Sequence, residues 1–220
     1  MTLYDDFSSG SYSLADGQTS PNGKWIDHYN GYGSSGSSGG TYNMAPQVST
    51  VAGTTHACLT VSTQKFVNPV LSVDMRTNKQ LRTGSPANSW ETAWLMYYVD
   101  DFHHYYVTLK TTGLEVGKKD NANQAEAQVF LATPSSPKVT IGAFQNVQLQ
   151  VNGTQITVWV NGVQVVNVTD TTQSATLAQA GAVGLYCEDA SVSFDNVNVT
   201  AASTSGGGTG GTFFHHKRRQ

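Results

Sequence analysis

Short runs of alternating apolar and polar residues, separated by turn residues, constrain the fold of this 220-residue chain more than any other feature. An apolar side chain at every second position is the pattern of a half-buried β-strand. The Asn152-Gly153 and Asn161-Gly162 pairs between such runs predict hairpin turns. The predicted strands are Ala57–Thr63, Pro69–Arg76, Trp90–Val99, His103–Lys110, Val147–Val151, Thr154–Val160, Val163–Val168, Ala182–Glu188 and Ser191–Val199. Residues 1–200 therefore predict one all-β domain, an antiparallel β-sandwich of the jelly-roll type.

Two segments are too rich in glycine to form strands. Residues 201–220 begin with small and hydroxyl side chains and predict a flexible linker followed by a tail. Residues 30–40, NGYGSSGSSGG, predict an exposed loop. Trp25 and Tyr32 flank or lie in this loop, where they could form an aromatic rim over a binding groove or hold the loop to the body as buried rings.

Composition restricts the class of partner. Charged residues make up 12% of the chain and the formal net charge is −3, which gives no electrostatic reason to expect nucleic acid or an anionic membrane. No apolar run is long enough to cross a bilayer. A neutral, hydroxyl-rich ligand fits this composition better than a polyanion does. The abundance of Thr, Ser and Asn favours an extracellular monomer whose signal peptide has been removed.

The chain has two cysteines, and both lie in predicted strands. Cys58 and Cys187 can form a disulfide if their strands are neighbours. The alternative is a pair of buried free thiols. The sequence leaves both possibilities open.

Most of the aromatic and titratable side chains are concentrated between Ser89 and Lys119. Alternation along His103–Lys110 places His104, Tyr106 and Lys110 on one face and the core residues on the other. The strand Trp90–Val99 is apolar on both faces, so two orientations remain open. Either Glu91 and Tyr97 face the groove, or Trp90 and Trp94 do.

Several phrases of the sequence resemble the concanavalin A-like lectin/glucanase superfamily, in its LamG-like branch. They are LYDDFSSG, YYVTLKTTGLEVGK, ITVWVNGVQVVNVTD and GAVGLYCEDASVSFDNVNV. The resemblance implies a jelly roll in which the middle strands build a concave sheet facing a glycan. It also implies a structural calcium ion where the terminal strands meet, with oxygen ligands from Asp5, Asp6, Asp195 and Asn196. Alternatively, Asp195 and Asn196 only hydrogen-bond the backbone at the end of a strand.

The sequence departs from the glucanase branch because it lacks the acidic strand motif E-x-D-x-E. A hydrolase would then need another carboxyl pair, and Glu91 with Asp74 is the best available. A lyase would need a base such as His104 or Tyr106, with Arg76, Arg82 or Lys110 holding a substrate carboxylate. Stacking on sugar rings is predicted for aromatic side chains of the groove. The predicted aromatic contacts are Trp25, Tyr32, Trp90, Trp94 and Tyr97.

A simpler alternative is that Glu91 and Arg76 form a cross-strand ion pair while the histidines cap a hairpin. On balance the sequence predicts a polysaccharide-active protein, more readily a glycoside hydrolase than a lyase. The competing prediction is a non-catalytic carbohydrate-binding or adhesion module of a larger secreted protein.

Overall fold

The computed structural model describes residues 2–121 and 127–201, and every regular element within these ranges is a β-strand. In chain order they are β1 (Leu3–Asp5), β2 (Tyr12–Leu14), β3 (Trp25–Tyr29), β4 (Ser34–Ser38), β5 (Thr41–Ala45), β6 (Ala57–Phe66), β7 (Pro69–Gln80), β8 (Ala93–Asp100), β9 (His103–Lys110), β10 (Gly113–Asp120), β11 (Val129–Ala132), β12 (Gln145–Asn152), β13 (Gln155–Val160), β14 (Val163–Thr169), β15 (Gly181–Glu188) and β16 (Ala190–Ala201). The predicted tail, from residue 202 onwards, lies outside the described residues.

The strands form two antiparallel sheets, which confirms the predicted sandwich. The first has nine strands in the order β14-β13-β12-β7-β16-β5-β4-β2, with β1 also paired to β16. The second has seven strands in the order β11-β10-β9-β8-β15-β6-β3. In the described part of the chain, no helix is long and apolar enough to span a membrane.

In the nine-stranded sheet β7 follows the alternation expected from its sequence, but the prediction that residues 30–40 form an exposed loop is wrong. They contain β4, which pairs with β2 and β5 and buries Ser35 and Ser37. In β7, Leu71, Val73 and Met75 are buried in the core between the sheets, while Asp74 and Arg76 point outward. Polar side chains on the outward face meet solvent, as is usual for an antiparallel sheet with one covered face.

The seven-stranded sheet is buried on both faces at its centre. In β8 the inward side chains, such as Leu95 and Tyr97, belong to the main core. The outward side chains Trp94, Met96 and Tyr98 join a second apolar cluster. This double burial explains why the sequence of β8 shows no alternation, and it produces an apolar floor on the outer face of the sheet.

The two cysteines lie directly opposite each other on neighbouring strands. Cys58 of β6 and Cys187 of β15 are register partners, and both are buried free thiols. The Cys58 thiol donates a hydrogen bond to the carbonyl oxygen of Asn30 over 3.0 Å. The strands of the two cysteines are therefore neighbours, as a disulfide requires, but the two sulfur atoms are not bonded to each other.

Asp27 is a fully buried acid inside the sandwich. Its Oδ1 accepts a hydrogen bond from Thr60 over 3.1 Å, whereas its Oδ2 has no hydrogen-bond partner among the described residues. Burial raises the pKa of Asp27 from 3.8 to about 6. Below about pH 6 the native state therefore favours the protonated acid.

The buried acid makes stability depend on pH. Between about pH 4 and pH 6 native Asp27 holds a proton that the unfolded chain releases, so its contribution to stability falls as pH rises. We expect the free energy of unfolding of the native sequence, relative to that of Asp27→Asn, to fall by about 2 kcal/mol from pH 4 to pH 6.5. Urea unfolding of both proteins across this range measures the difference. A constant difference would show that Asp27 has an ordinary pKa.

Candidate functional site

A cleft of about 540 Å³ lies on the outer face of the seven-stranded sheet. Its floor is the second apolar cluster, and its walls come from β3 on one side and from the β8–β9 turn and β10 on the other. The lining residues are His28, Tyr29, Leu59, Met96, Tyr98, Asp101, Phe102, His104, Lys119, Gln128, Tyr186 and Glu188. Its size and mixture of aromatic and polar side chains suit a small organic ligand.

Strand register places three functional side chains in one row across the cleft. Tyr98 of β8 is the register partner of His104 in β9, and His104 is the partner of Lys119 in β10. Side chains directly opposite on an antiparallel pair lie on the same face, with Cβ atoms about 5 Å apart. The row therefore brings together a phenol, an imidazole and an ammonium group. All three line the cleft.

His104 is held in its neutral form. The ring is 8% exposed and stacks on Tyr98 with 6.2 Å between ring centroids. Burial lowers the pKa of His104 from 6.5 to about 4. Its Nδ1 lies 3.4 Å from the carbonyl oxygen of Asp100, a contact that favours a proton on Nδ1 and leaves the lone pair of Nε2 to act as a base.

A hydrogen-bonded group closes the same end of the cleft. The hydroxyl of Tyr98 donates to Asp101 Oδ1 over 2.7 Å, and His28 Nε2 lies 3.1 Å from that oxygen. Burial and the contact with Asp101 raise the pKa of Tyr98, so its phenol stays protonated. His28 stands on the β3 wall, opposite the β9 side that carries His104.

Tyr106, predicted as a base, is buried beside this row and committed to another contact. Its hydroxyl donates to Glu115 Oε1 over 3.0 Å, and Lys110 Nζ contacts the other oxygen of Glu115 at 2.6 Å. Gly117 is required here, since a Cβ at that position would lie 2.4 Å from the Tyr106 hydroxyl oxygen. Tyr106 and Lys110 therefore lie on the predicted face but support the floor of the cleft.

The opposite end of the cleft is built around Glu188. Its Oε1 accepts a hydrogen bond from Tyr186 over 2.7 Å, and the side chain of Trp90 lies near the carboxyl group. Burial, together with the nearby charges of Asp189 and Glu91, raises the pKa of Glu188. Sequence reasoning missed Tyr186 and Glu188, although alternation along GLYCE places both on one strand face.

Glu91 occupies neither of the two predicted orientations, because it precedes β8 and is completely buried. Arg82 Nε lies 2.6 Å from Glu91 Oε1, and Arg82 Nη2 lies 2.6 Å from Asp189 Oδ2. Asn88 donates to the same Glu91 oxygen over 2.8 Å. Glu91 and Arg82 thus form a buried ionic group at the end of the sandwich and do not face the cleft. The predicted partner of Glu91 was Arg76, but Arg82 takes that place.

Asp74 and Arg76 lie on the outward face of the other sheet, so the core separates them from the cleft. Asp74 accepts hydrogen bonds from Asn146 and Asn196, and Arg76 lies over the ring of Phe144. Glu91 and Asp74 are therefore not a carboxyl pair around one bond.

The predicted aromatic contacts separate into three groups. Trp25 and Tyr97 point into the core, where the Trp25 indole donates to Asp5 and the Tyr97 hydroxyl donates to Gln179 O over 2.6 Å. Trp94 lies on the outer face beneath the cleft with 2% exposure. Trp90 is 40% exposed beside Glu188, and Tyr32 is exposed beside His56 outside the cleft lining.

Three of the four residues predicted to hold calcium, Asp5, Asp195 and Asn196, do not fit a cation together. Asp5 points inward, and its oxygens accept hydrogen bonds from the Phe7 amide, Asn22 and the Trp25 indole. Asp195 accepts from the amide of Asn196, whose side chain donates to Asp74. Donors that point at the carboxylates oppose a cation there. Across residues 2–121 and 127–201, no group of three or more acidic, His or Cys side chains could hold a metal ion.

Comparison with protein families gives one match that spans most of the chain. The sequence model of the 3-keto-alpha-glucoside-1,2-lyase-like domain family matches residues 10–200. No curated protein matches the sequence.

Similar solved structures share the architecture. The carbohydrate-binding module CBM66 from Bacillus subtilis is 15% identical, with 87% of this chain and 96% of that chain covered and a TM-score of 0.53. β-Agarase B from Zobellia galactanivorans is 8% identical over 89% and 90%, with a TM-score of 0.59. The Bacillus licheniformis β-glucanase is 11% identical over 91% and 98%, with a TM-score of 0.54. The likeness confirms the concanavalin A-like jelly roll.

The buried position of Arg82 predicts a structural role. Arg82→Met would leave Glu91 and Asp189 as buried carboxylates without their cation, so we expect a loss of about 3–5 kcal/mol in the free energy of unfolding. Lys79→Met removes a cation from an exposed position and should change stability by less than about 0.5 kcal/mol. Urea denaturation of the two variants makes the comparison, and equal midpoints would contradict the role assigned to Arg82.

Proposed function

Because the chain belongs to the 3-keto-alpha-glucoside-1,2-lyase-like domain family, we propose that it binds a carbohydrate in the cleft and cleaves it by elimination. The proposed substrate is a 3-keto glycoside, whose C2 proton is acidified by the neighbouring ketone. The observation that carries this proposal is the row of Tyr98, His104 and Lys119 across the cleft.

Each member of the row has a role in elimination. Neutral His104 accepts the C2 proton at Nε2, and the electron pair moves toward the C3 oxygen. The ammonium of Lys119, on the adjacent strand, stabilises the negative charge that develops on this oxygen. The electrons then return to form the C1=C2 double bond while the bond from C1 to the leaving oxygen breaks.

The leaving oxygen must gain a proton from the opposite side of the sugar ring. His28 is suited to this role because it stands on the β3 wall and is held by Asp101. Tyr98 orients the same carboxylate through its hydroxyl. A base and an acid on facing walls match an elimination in which the proton and the leaving group depart from opposite faces.

Hydrolysis by paired carboxylates has less support in this cleft. Its two carboxylates, Asp101 and Glu188, lie at opposite ends, because Cys187 pairs with Ala93 while Asp101 follows the last residue of β8. The eight residues of β8 span more than about 20 Å, whereas carboxyl pairs of inverting enzymes lie roughly 6.5–9.5 Å apart. The extracellular location and monomeric state stay predictions.

Replacing the proposed base should abolish turnover. We expect His104→Gln to lower kcat/KM on an aryl 3-keto-α-glucoside by about 100-fold or more, measured by aryl alcohol release and by the absorbance of the conjugated enone. His103→Gln is the matched control, since His103 lies on the same hairpin, contacts Asp100 and is absent from the cleft lining. Reducing ends without enone absorbance would indicate a hydrolase. Retention of glycan without product would indicate a binding module.

The pKa of His104 sets the acid limit of the reaction. The base works only when neutral, so kcat/KM should fall as pH drops through about 4 and should not fall near pH 6.5, the ordinary pKa of histidine. A pH profile measured with the His103→Gln variant as a control tests this. A decline centred near pH 6.5 as the pH is lowered would mean that a solvent-exposed histidine, not His104, is the base.

A further inference from the structure

We infer that the Glu188 end of the cleft, lined by Tyr186 and Glu188 with the exposed ring of Trp90 beside it, is a second sugar-binding subsite. The substrate is then an oligosaccharide and not the glycoside of a small alcohol. This inference rests on the proposed function, since it assigns the reacting sugar to the His104 end and the leaving sugars to the Glu188 end.

Strand geometry separates the two ends by more than one sugar ring. Ala182 of β15 is the register partner of Tyr98, which lies at the level of His104. Glu188 follows Ala182 by six residues on the same strand, a distance of roughly 20 Å at about 3.3 Å per residue. Both ends line one cleft. A ligand that contacts both must therefore extend along β15.

The Glu188 end has the composition of a sugar site. The carboxyl of Glu188 is only partly exposed and accepts a hydrogen bond from Tyr186. Tyr186 is partly exposed, and Trp90 is 40% exposed, so both rings can meet a ligand. Rings of this kind stack on the apolar face of a sugar while a carboxyl bonds its hydroxyl groups.

The residues beneath this end hold the two rings in place. Trp94 packs edge-on against Tyr186 with 5.3 Å between ring centroids, and its indole donates to the carbonyl oxygen of Trp90 over 2.8 Å. Rings that are fixed before binding lose little conformational freedom when a ligand arrives. The subsite is thus preorganised by buried side chains that do not contact the ligand.

The acidic groups around Glu188 make this subsite unsuited to an anionic ligand. The carboxyl groups of Glu91, Glu188 and Asp189 lie near one another with Arg82 as their cation, so acidic groups outnumber the cation here. Lys119 lines the other end of the cleft, in the row with His104. A negatively charged sugar would be repelled here, which favours neutral sugars as the leaving part of the substrate.

The inference is tested with a series of α-linked neutral oligosaccharides of increasing length, each oxidised to a ketone at C3 of the reacting unit. For the native protein we expect KM to fall as rings are added. Glu188→Gln and Tyr186→Phe should reduce this gain by about 10-fold, the effect of one lost hydrogen bond involving a charged group. Tyr4→Ala, on the other sheet, is the matched control, since Tyr4 is 54% exposed.

Two outcomes would overturn the inference while the proposed elimination stands: turnover with a KM independent of length, or full length dependence in Glu188→Gln. Thermal unfolding checks that each variant is folded. If native protein retains the oligosaccharides but yields no enone, the proposed elimination fails. The length dependence of retention then tests the subsite by itself, and equal retention at every length would overturn it.

Discussion

The hydrogen-bonded register of five adjacent strands, β6, β15, β8, β9 and β10, is the constraint on which the cleft depends. Register partners share a face, so the pairing of these strands decides which side chains form the floor and which form the row. A slip of one residue between β8 and β9 would turn His104 into the core and bring Tyr105 out. The inward side chains of β9, Tyr105, Val107 and Leu109, oppose such a slip, because it would turn them out of the core.

Few charged residues are available in this chain, and most of those near the cleft are held in pairs. Arg82 contacts Glu91 and Asp189, and Lys110 contacts Glu115. Lys118 on the inner face of β10 contacts Asp120 at 3.0 Å and Asp170 at 2.8 Å. These pairs are buried, so each ion needs its partner. The charged side chains that line the cleft include Asp101, Lys119 and Glu188.

The cleft combines two environments that favour different tasks. At the His104 end, burial keeps an imidazole neutral beside an ammonium group and a phenol, an arrangement suited to moving a proton and stabilising an oxyanion. At the Glu188 end, aromatic rings surround a single carboxyl, which suits recognition. The separation of these tasks along β15 links the proposed elimination to an extended substrate.

Much of the fold followed from the sequence alone, because strand alternation and Asn-Gly turns are local features. The alternation of β7 and β9 correctly placed Asp74 and Arg76 outward and put His104, Tyr106 and Lys110 on one face. The sequence could not assign Glu91 or Tyr97, since β8 is apolar on both faces and Glu91 precedes it. Only the tertiary structure decided that Arg82 joins Glu91 to Asp189, that Asp74 lies on the far sheet, and that Glu188 and His28 reach the cleft. Those contacts join residues far apart in the chain, and the order of strands within each sheet, which local pattern does not encode, brings them together.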